Sequence, residues 1–180
     1  ELSLRRALQK ATSQSDSWFA LGRALESQGL LAPAADAYQQ AVDRQPANPA
    51  FHTTLARTLL SLGRFDQAWL ENEWRLKSRP GAGPHRGRAP FTHSLDFSGK
   101  VVRLLAEPAL ADTFQFLRFA ALIRATAKSV HLICPPGIAP LFRRSPGLDQ
   151  INPTESDQIH PDLTCHLMSL PLTCGTRTDT

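Results

Sequence analysis

The first half of the chain carries hydrophobic residues at helical spacing, and the same pattern recurs with a constant period. Trp18, Leu21, Gly22 and Leu25 fall on one helical face. Gly29 and Pro46 follow as signals for the ends of two successive helices. A 34-residue period relates five pairs of residues, namely Leu21 and Leu55, Leu25 and Leu59, Gly29 and Gly63, Ala34 and Ala68, and Pro46 and Pro80. The pattern predicts tandem helix-turn-helix units.

The second half follows a different pattern, in which short apolar runs alternate with helical stretches. Val101 to Leu105 and Val130 to Cys134 predict buried strands. The stretch from Asp112 to about Lys128 predicts a helix between them. Ile138 to Arg144 predicts a short helix, and Gln150 to Asn152 a short third strand. Strand, helix and strand in this order predict a right-handed parallel βαβ unit, so we expect a Rossmann-like half-domain.

The two patterns divide the chain, and the expected fold class is α plus α/β. Residues 1–78 are predicted to hold the repeats, with a partial unit at 1–14 and full units at 15–48 and 49–80. Residues 79–98 are rich in glycine, proline and arginine and predict a linker. Residues 99–180 are predicted to form the half-domain.

Composition and charge narrow the possible functions. Apolar residues make up 42% of the 180 residues, enough for a buried core. The longest apolar runs have about five residues, whereas a membrane-spanning helix needs roughly 20, so we expect no membrane partner. The net charge is +4 without a long basic block, and we do not expect nucleic acid as a partner. Three cysteines without CxxC spacing indicate neither a disulfide framework nor a zinc site, and they favour the cytoplasm.

The segment from Ser15 to Asn48 resembles the tetratricopeptide repeat, a helix-turn-helix of 34 residues. This resemblance implies a concave groove that binds a protein or peptide. Arg23 and Arg57 occupy equivalent positions on the first helices of the two units. They are the candidate peptide-binding residues, because two neighbouring guanidinium groups suit a carboxylate on an extended ligand. The alternative is that both arginines are simply solvated on an exposed face.

The segment from Glu107 to Phe119, EPALADTFQFLRF, resembles the EQGLGDTIQFxRY hallmark of a bacterial family. In that family, tetratricopeptide repeats precede a glycosyltransferase-like domain. Trp69 to Arg75, Ile133 to Gly147 and Asp162 to Pro171 resemble further parts of the same family. The resemblance implies the first, acceptor-side lobe of the two-lobed GT-B fold, related to O-linked N-acetylglucosamine transferases and heptosyltransferases. We expect no cofactor here, since a nucleotide-sugar donor would bind only if a second lobe exists.

The same resemblance indicates candidate site residues. In the related heptosyltransferases a candidate general base aligns with Asp112, and a carboxylate there could deprotonate an acceptor hydroxyl. Asp112 with Gln115 three residues later also fits a helix N-cap and capping box, and the two roles are compatible. Glu107 and Gln115 mark the loop at the strand end, which is where ligands sit in such folds.

The sequence differs from the family pattern in the loop that would lie close to a ligand. The family's loop glycines are replaced by Pro108-Ala109 and Ala111, which removes backbone freedom near a ligand. His160 and His166 are expected to be ordinary loop histidines, and no histidine or cysteine set has metal-ligand spacing. We therefore expect a protein-interaction module attached to a degenerate, incomplete and inactive glycosyltransferase-like domain. The alternative is an acceptor-side fragment of a nucleotide-sugar-dependent glycosyltransferase.

Overall fold

The computed structural model describes residues 14–77, 95–152 and 160–175. The chain divides into two compact units between residues 83 and 84. The predicted partial repeat at 1–14 lies outside the described residues except for Gln14. Most of the predicted linker at 79–98 lies outside them as well.

The described residues of the first unit form two helical hairpins, as the 34-residue period predicts. Helix α1 spans Gln14–Ser27 and α2 spans Leu31–Arg44. Helix α3 spans Pro49–Ser61, and α4 spans Phe65–Asn72. A short 3-10 helix, Glu73–Leu76, continues from α4. Asn48 caps α3, because its side chain accepts a hydrogen bond from the N–H of Ala50.

The same glycine turn closes the first helix of each hairpin. Gly29 has φ 74° and Gly63 has φ 72°, a left-handed conformation that favours glycine. After α1, the N–H of Leu30 donates to the carbonyl of Leu25 at 3.0 Å, and the N–H of Gly29 donates to that of Glu26 at 2.9 Å. These two bonds define the Schellman motif, and the equivalent pair follows α3. The predicted role of Gly29 is confirmed.

The core of the first unit is formed by the residues that recur with the period. Gly22 is small because the ring of Tyr38 lies directly over it: a β-carbon at position 22 would be 2.5 Å from Cε1 of that ring. Small side chains therefore let α1 and α2 pack closely. The buried residues of this core include Leu21, Leu25, Ala34, Tyr38, Leu55, Leu59 and Ala68.

The second unit contains a four-stranded sheet in which all neighbouring strands are parallel. The strands are β1 at Val101–Leu105, β2 at Ser129–Ile133, β3 at Gln150–Asn152 and β4 at Leu163–His166. Their order is β3-β2-β1-β4. The first three strands match the prediction to within one residue, and β4 is an additional strand. The Rossmann-like half-domain is confirmed.

Short helices connect these strands. Helices α5 at Leu110–Leu117 and α6 at Phe119–Arg124 join β1 to β2, and α7 at Ala139–Phe142 joins β2 to β3. A 3-10 helix at Leu167–Ser169 and helix α8 at Leu170–Thr173 follow β4. The predicted helix from 112 to about 128 thus begins two residues earlier and ends at 124. It ends there because the chain turns into the sheet, where the N–H of Lys128 donates to the carbonyl of Lys100.

One face of the sheet is covered by the crossover helices. Phe116, Phe119, Ala120 and Ile123 are buried, as predicted for the inner face of this helical segment. Alternate residues of the central strands lie beneath them with no solvent exposure: Val102 and Leu104 on β1, and Val130 and Leu132 on β2. The apolar core therefore fixes the crossover, and with it the loop that follows β1.

Candidate functional site

The two candidate peptide-binding arginines lie on the first helix of each hairpin. Arg23 on α1 and Arg57 on α3 are both exposed. The Arg57 side chain is 67% exposed, although its Nη2 lies 3.3 Å from Oε1 of Glu26. The hydroxyl of Tyr38 donates to the other oxygen of Glu26 at 2.8 Å. Arg57, Glu26 and Tyr38 thus form a chain of polar contacts from the surface into the core.

The pKa of Tyr38 reflects its burial and its contact with Glu26. Burial raises the pKa of the Tyr38 hydroxyl well above its ordinary value, and the hydrogen bond and charge of Glu26 raise it further. The positive charges of Arg57 and Arg23 act in the opposite direction on the same pKa. The two arginines thus occupy equivalent, exposed positions on α1 and α3, as the 34-residue period predicts.

The aromatic residues of the first hairpin belong to the core, as expected, and do not form a ligand platform. The ring of Phe19 lies 4.8 Å from that of Phe51 and 5.3 Å from that of Tyr38, measured between centroids. Trp18 packs against the same core, and the guanidinium of Arg44 lies over its ring.

A second polar cluster, which sequence reasoning missed, surrounds His52. This residue lies 34 positions after Trp18, and its ring stacks on Trp74 with centroids 3.8 Å apart. Nε2 of His52 is 2.8 Å from the carbonyl oxygen of Pro46, and Nδ1 contacts the carboxylate of Glu71. The first repeat has a tryptophan, Trp18, at the position where the second repeat has His52. In the second repeat, Trp74 supplies an indole ring next to that position. The sequence signal for this cluster is that His52 replaces tryptophan at the 34-residue spacing from Trp18.

The carboxyl ends of β1 and β4 form the second candidate site. The strand order reverses between these two strands, which is the position where α/β folds bind ligands. The Glu107 side chain follows β1 and has no solvent exposure. Its Oε1 accepts a hydrogen bond from the N–H of Met168 at 3.0 Å and lies 3.8 Å from Nδ1 of His166. Glu107 thus ties the loop after β1 to the segment after β4.

The prediction that His166 is an ordinary loop residue is wrong. It is the last residue of β4 and pairs with Leu105 of β1, and its side chain is only 12% exposed. Pairing of β4 with β1 brings His166 to Glu107, a contact across 59 residues of sequence. His160, by contrast, is exposed outside helix and strand, as expected.

The loop that carries Glu107 is held by Thr113, which sequence reasoning did not select. The N–H of Glu107 donates to Oγ1 of Thr113 at 3.0 Å, and the threonine hydroxyl donates back to the Glu107 carbonyl at 3.2 Å. Thr113 has no solvent exposure. One hydroxyl thus satisfies both backbone groups of the buried glutamate.

The predicted N-cap role of Asp112 is wrong. Ala109 occupies the N-cap position with extended backbone (φ −83°, ψ 126°) and no side-chain cap. Asp112 is the third residue of α5 and half-buried, and Gln115 lies exposed within the helix, not in the loop. Leu110 and Ala111 both favour a helix, so α5 begins at Leu110, two residues before Asp112. An acidic residue in the first turn still complements the helix dipole.

The described residues contain no other clear chemical centre. They include no group of three histidine, cysteine or acidic side chains arranged to hold a metal ion. The three cysteines are free, and burial raises the pKa of the Cys134 thiol, which disfavours a reactive thiolate. Within the described ranges, no helix combines the length and apolar character that a membrane span requires.

Comparisons with known proteins agree with the helical hairpins. Residues 27–68 match the family model of the tetratricopeptide repeat, from the end of α1 to the middle of α4. Among solved structures, a mutant of the Thermobaculum terrenum O-GlcNAc transferase is similar, with 15% sequence identity and a TM-score of 0.39. That match covers 87% of this chain and 37% of the transferase chain. No curated protein matched the chain.

Proposed function

We propose that this chain is a protein-interaction module in the cytoplasm, whose repeats bind an extended acidic segment of a partner. The observation that carries the proposal is the placement of Arg23 and Arg57 at equivalent, exposed positions on α1 and α3. The match of residues 27–68 to the tetratricopeptide repeat supports this function. In this proposal the α/β unit is a degenerate glycosyltransferase-like domain without activity.

Arginine suits this role because its planar guanidinium forms two parallel hydrogen bonds with a carboxylate. Glu26 already lies beside Arg57, but the contact is long at 3.3 Å and the guanidinium is largely exposed. A partner carboxylate can therefore approach Arg57 from solvent. Hydrogen bonds to charged groups contribute about 1.5–3 kcal/mol each, so loss of one arginine is expected to weaken binding by roughly tenfold or more.

The test begins with peptides selected on the full chain from a random peptide library. The selected peptides should be enriched in acidic residues, and their affinities are then measured by calorimetry. Arg23→Gln and Arg57→Gln are each expected to weaken binding by about tenfold, as estimated above for one charge-assisted contact. Higher salt should weaken binding of the parent chain, because exposed charges are screened.

The matched control is Arg64→Gln, which removes an exposed arginine between the two helices of the second hairpin. This variant should bind the selected peptides like the parent chain. Selection of peptides without acidic residues, or equal losses in all three variants, would contradict the proposed surface.

The carboxyl edge of the sheet favours a second function, the acceptor-side part of a nucleotide-sugar-dependent glycosyltransferase. The supporting observation is that Glu107 and His166 meet where the strand order reverses, with Asp112 in the first turn of the adjoining helix. In this function Asp112 is the candidate general base for an acceptor hydroxyl.

Calorimetry with uridine and guanosine diphosphate-sugars tests this second function. Binding accompanied by sugar transfer or hydrolysis that Asp112→Asn slows by about 100-fold or more, and that Asp66→Asn in the first turn of α4 leaves unchanged, would support it. Negligible heat at millimolar nucleotide-sugar would rule out the enzyme function for this chain.

A further inference from the structure

The helices that connect β1 and β2 are apolar on their outward face as well as on their inward face. Arg118, between α5 and α6, has helical backbone angles (φ −52°, ψ −29°), so positions 110 to 125 share one helical periodicity. Nine of these positions are exposed, and only Gln115, Arg118 and Arg124 among the nine are polar. A helix that is apolar on all sides is normally buried.

The exposed apolar side chains are large, and they are concentrated in this part of the molecule. Leu110, Phe114 and Leu122 are 40%, 51% and 62% exposed. Leu141 of α7 is 56% exposed, and the ring contact between Phe114 and Phe142 at 4.9 Å places α7 beside α5. We call Leu110, Phe114, Leu122 and Leu141 the apolar face. Exposed apolar surface of this kind marks interaction sites.

The charge around the apolar face is mainly positive. Residues 110–148 contain five arginines and lysines and a single acidic residue, Asp112. Arg124 is paired with Asp149, with 2.8 Å between Nε and Oδ2. Arg118, Arg143 and Arg144 are exposed. A complementary partner therefore presents apolar side chains flanked by acidic ones.

We propose that the apolar face docks an acidic amphipathic helix of a partner protein. Leucine-like side chains at i, i+3, i+4 and i+7 of that helix would cover Leu110, Phe114 and Leu122. Its flanking glutamates or aspartates would meet Arg118 and the arginines that follow α7. This inference concerns the α/β unit and does not depend on the proposed function of the repeats.

Two other occupants fit the observations less well. A second copy of this chain would place the same positive charge against itself. A membrane surface is contacted by cations that extend outward to the headgroups. Here the guanidinium of Arg118, on the helical segment itself, lies over the ring of Phe119 at 5.1 Å.

The experiment uses the full chain and a fluorescein-labelled model peptide of about five helical turns. The peptide has leucines at the spacing given above and glutamates on both flanks, and a second peptide has lysine at every glutamate position. Fluorescence anisotropy should show the acidic peptide binding at least tenfold more tightly than the basic one. Phe114→Ser and Leu122→Ser should each weaken this binding by about tenfold, and Arg118→Glu should reduce the preference for the acidic peptide.

The matched control is Leu30→Ser, since Leu30 is a similarly exposed leucine in the first unit. It should leave the affinity unchanged, and circular dichroism verifies that each variant is folded. If Phe114→Ser does not fold, the test rests on Leu122→Ser alone. Leu122 is the most exposed residue of the apolar face, so its replacement is the least disruptive to folding.

The proposal is overturned if the acidic peptide does not bind, if both peptides bind equally, or if Leu30→Ser has the same effect as Leu122→Ser. It is also overturned in favour of a membrane surface if phosphatidylglycerol–phosphatidylcholine vesicles bind the chain more tightly than the peptide does and Leu122→Ser abolishes that binding. Dimerisation in the ultracentrifuge that is abolished in Leu122→Ser would overturn it in favour of a second copy.

Discussion

Tyr38 connects the core of the repeats to the candidate binding surface. Its ring lies over Gly22, and its hydroxyl donates to Glu26, which in turn contacts Arg57. The position of Glu26, and therefore the charge presented by Arg57, depends on how α1 packs on α2. Packing and recognition are thus linked through one side chain.

Gly22→Leu is expected to destabilise the first unit. A β-carbon at position 22 would overlap the buried Tyr38 ring, which cannot rotate away into solvent. Overpacking of this kind costs roughly 1–3 kcal/mol or more, and it should lower the thermal midpoint. The control is Ala20→Leu, an exposed position on the same helix. An unchanged midpoint in Gly22→Leu would contradict the packing described here.

His131 is expected to make the second unit less stable in mild acid. Burial lowers its pKa, and Arg103 on the neighbouring strand lowers it further, although the carboxylate of Asp149 opposes this. The unfolded chain therefore takes up the proton first, near pH 6.5. Stability is highest above that pH and is lost as the pH falls from there through the lower folded pKa.

The measurement for His131 is urea unfolding at several pH values between neutral and mildly acidic, for the parent chain and His131→Gln. As the pH falls, the free energy of unfolding of the parent chain should decrease more than that of His131→Gln. The other histidines contribute equally to both proteins and cancel. An identical pH dependence in the two proteins would show that His131 does not carry this effect.

At the scale of elements, the strands and helices with strong local patterns could be predicted. The run Val101 to Leu105 is apolar and rich in β-branched residues, and β1 has those bounds. Strand β4, LTCH, has no such run, and it forms because its backbone pairs with β1. The start of α5 was misplaced because Leu110 and Ala111, both good helix formers, precede Asp112 and belong to the helix.

The candidate sites also differ in whether the local sequence could predict them. Arg23 and Arg57 could be predicted because a repeat places equivalent residues on one surface. The contact between Glu107 and His166 could not, since it depends on the register of β1 with β4. The role of Thr113 was missed for a related reason, because its hydroxyl binds backbone groups six residues away.

The turn after α3 gives a prediction at this scale. Gly63→Ala is expected to destabilise the second hairpin by about 1 kcal/mol or more, because alanine is strained at positive φ. No neighbouring atom would touch the added methyl group, so the effect is one of backbone conformation alone. Urea unfolding followed by tryptophan fluorescence measures it.

The control for Gly63 is Gly137→Ala, at a glycine without positive φ and with equally open surroundings. Alanine there should be neutral or slightly stabilising, because it restricts the unfolded chain. Calorimetry measures this control, since Gly137 lies in the second unit, which contains no tryptophan. Equal destabilisation of both variants would mean that the left-handed turn is not the cause.

At the scale of the whole molecule, the described residues of each unit form a hydrophobic core. One is formed by the hairpins, and the other lies between the sheet and its crossover helices. Units with their own cores can unfold separately. The chain also contains a convenient probe, since Trp18, Trp69 and Trp74 all lie in the first unit. Tryptophan fluorescence therefore reports the hairpins alone, whereas calorimetry reports both units.

Truncating one core residue in each unit should affect only the transition of that unit. Leu55 is 1% exposed and Leu132 has no exposure, and loss of a buried leucine side chain costs about 2–5 kcal/mol. Leu55→Ala should lower the fluorescence midpoint, and Leu132→Ala should leave it unchanged while lowering one calorimetric transition. If Leu132→Ala lowers the fluorescence midpoint as much as Leu55→Ala does, the two units unfold as one cooperative body. A ligand bound to the apolar face would then also stabilise the repeats, because binding to the native state stabilises every part that unfolds with it.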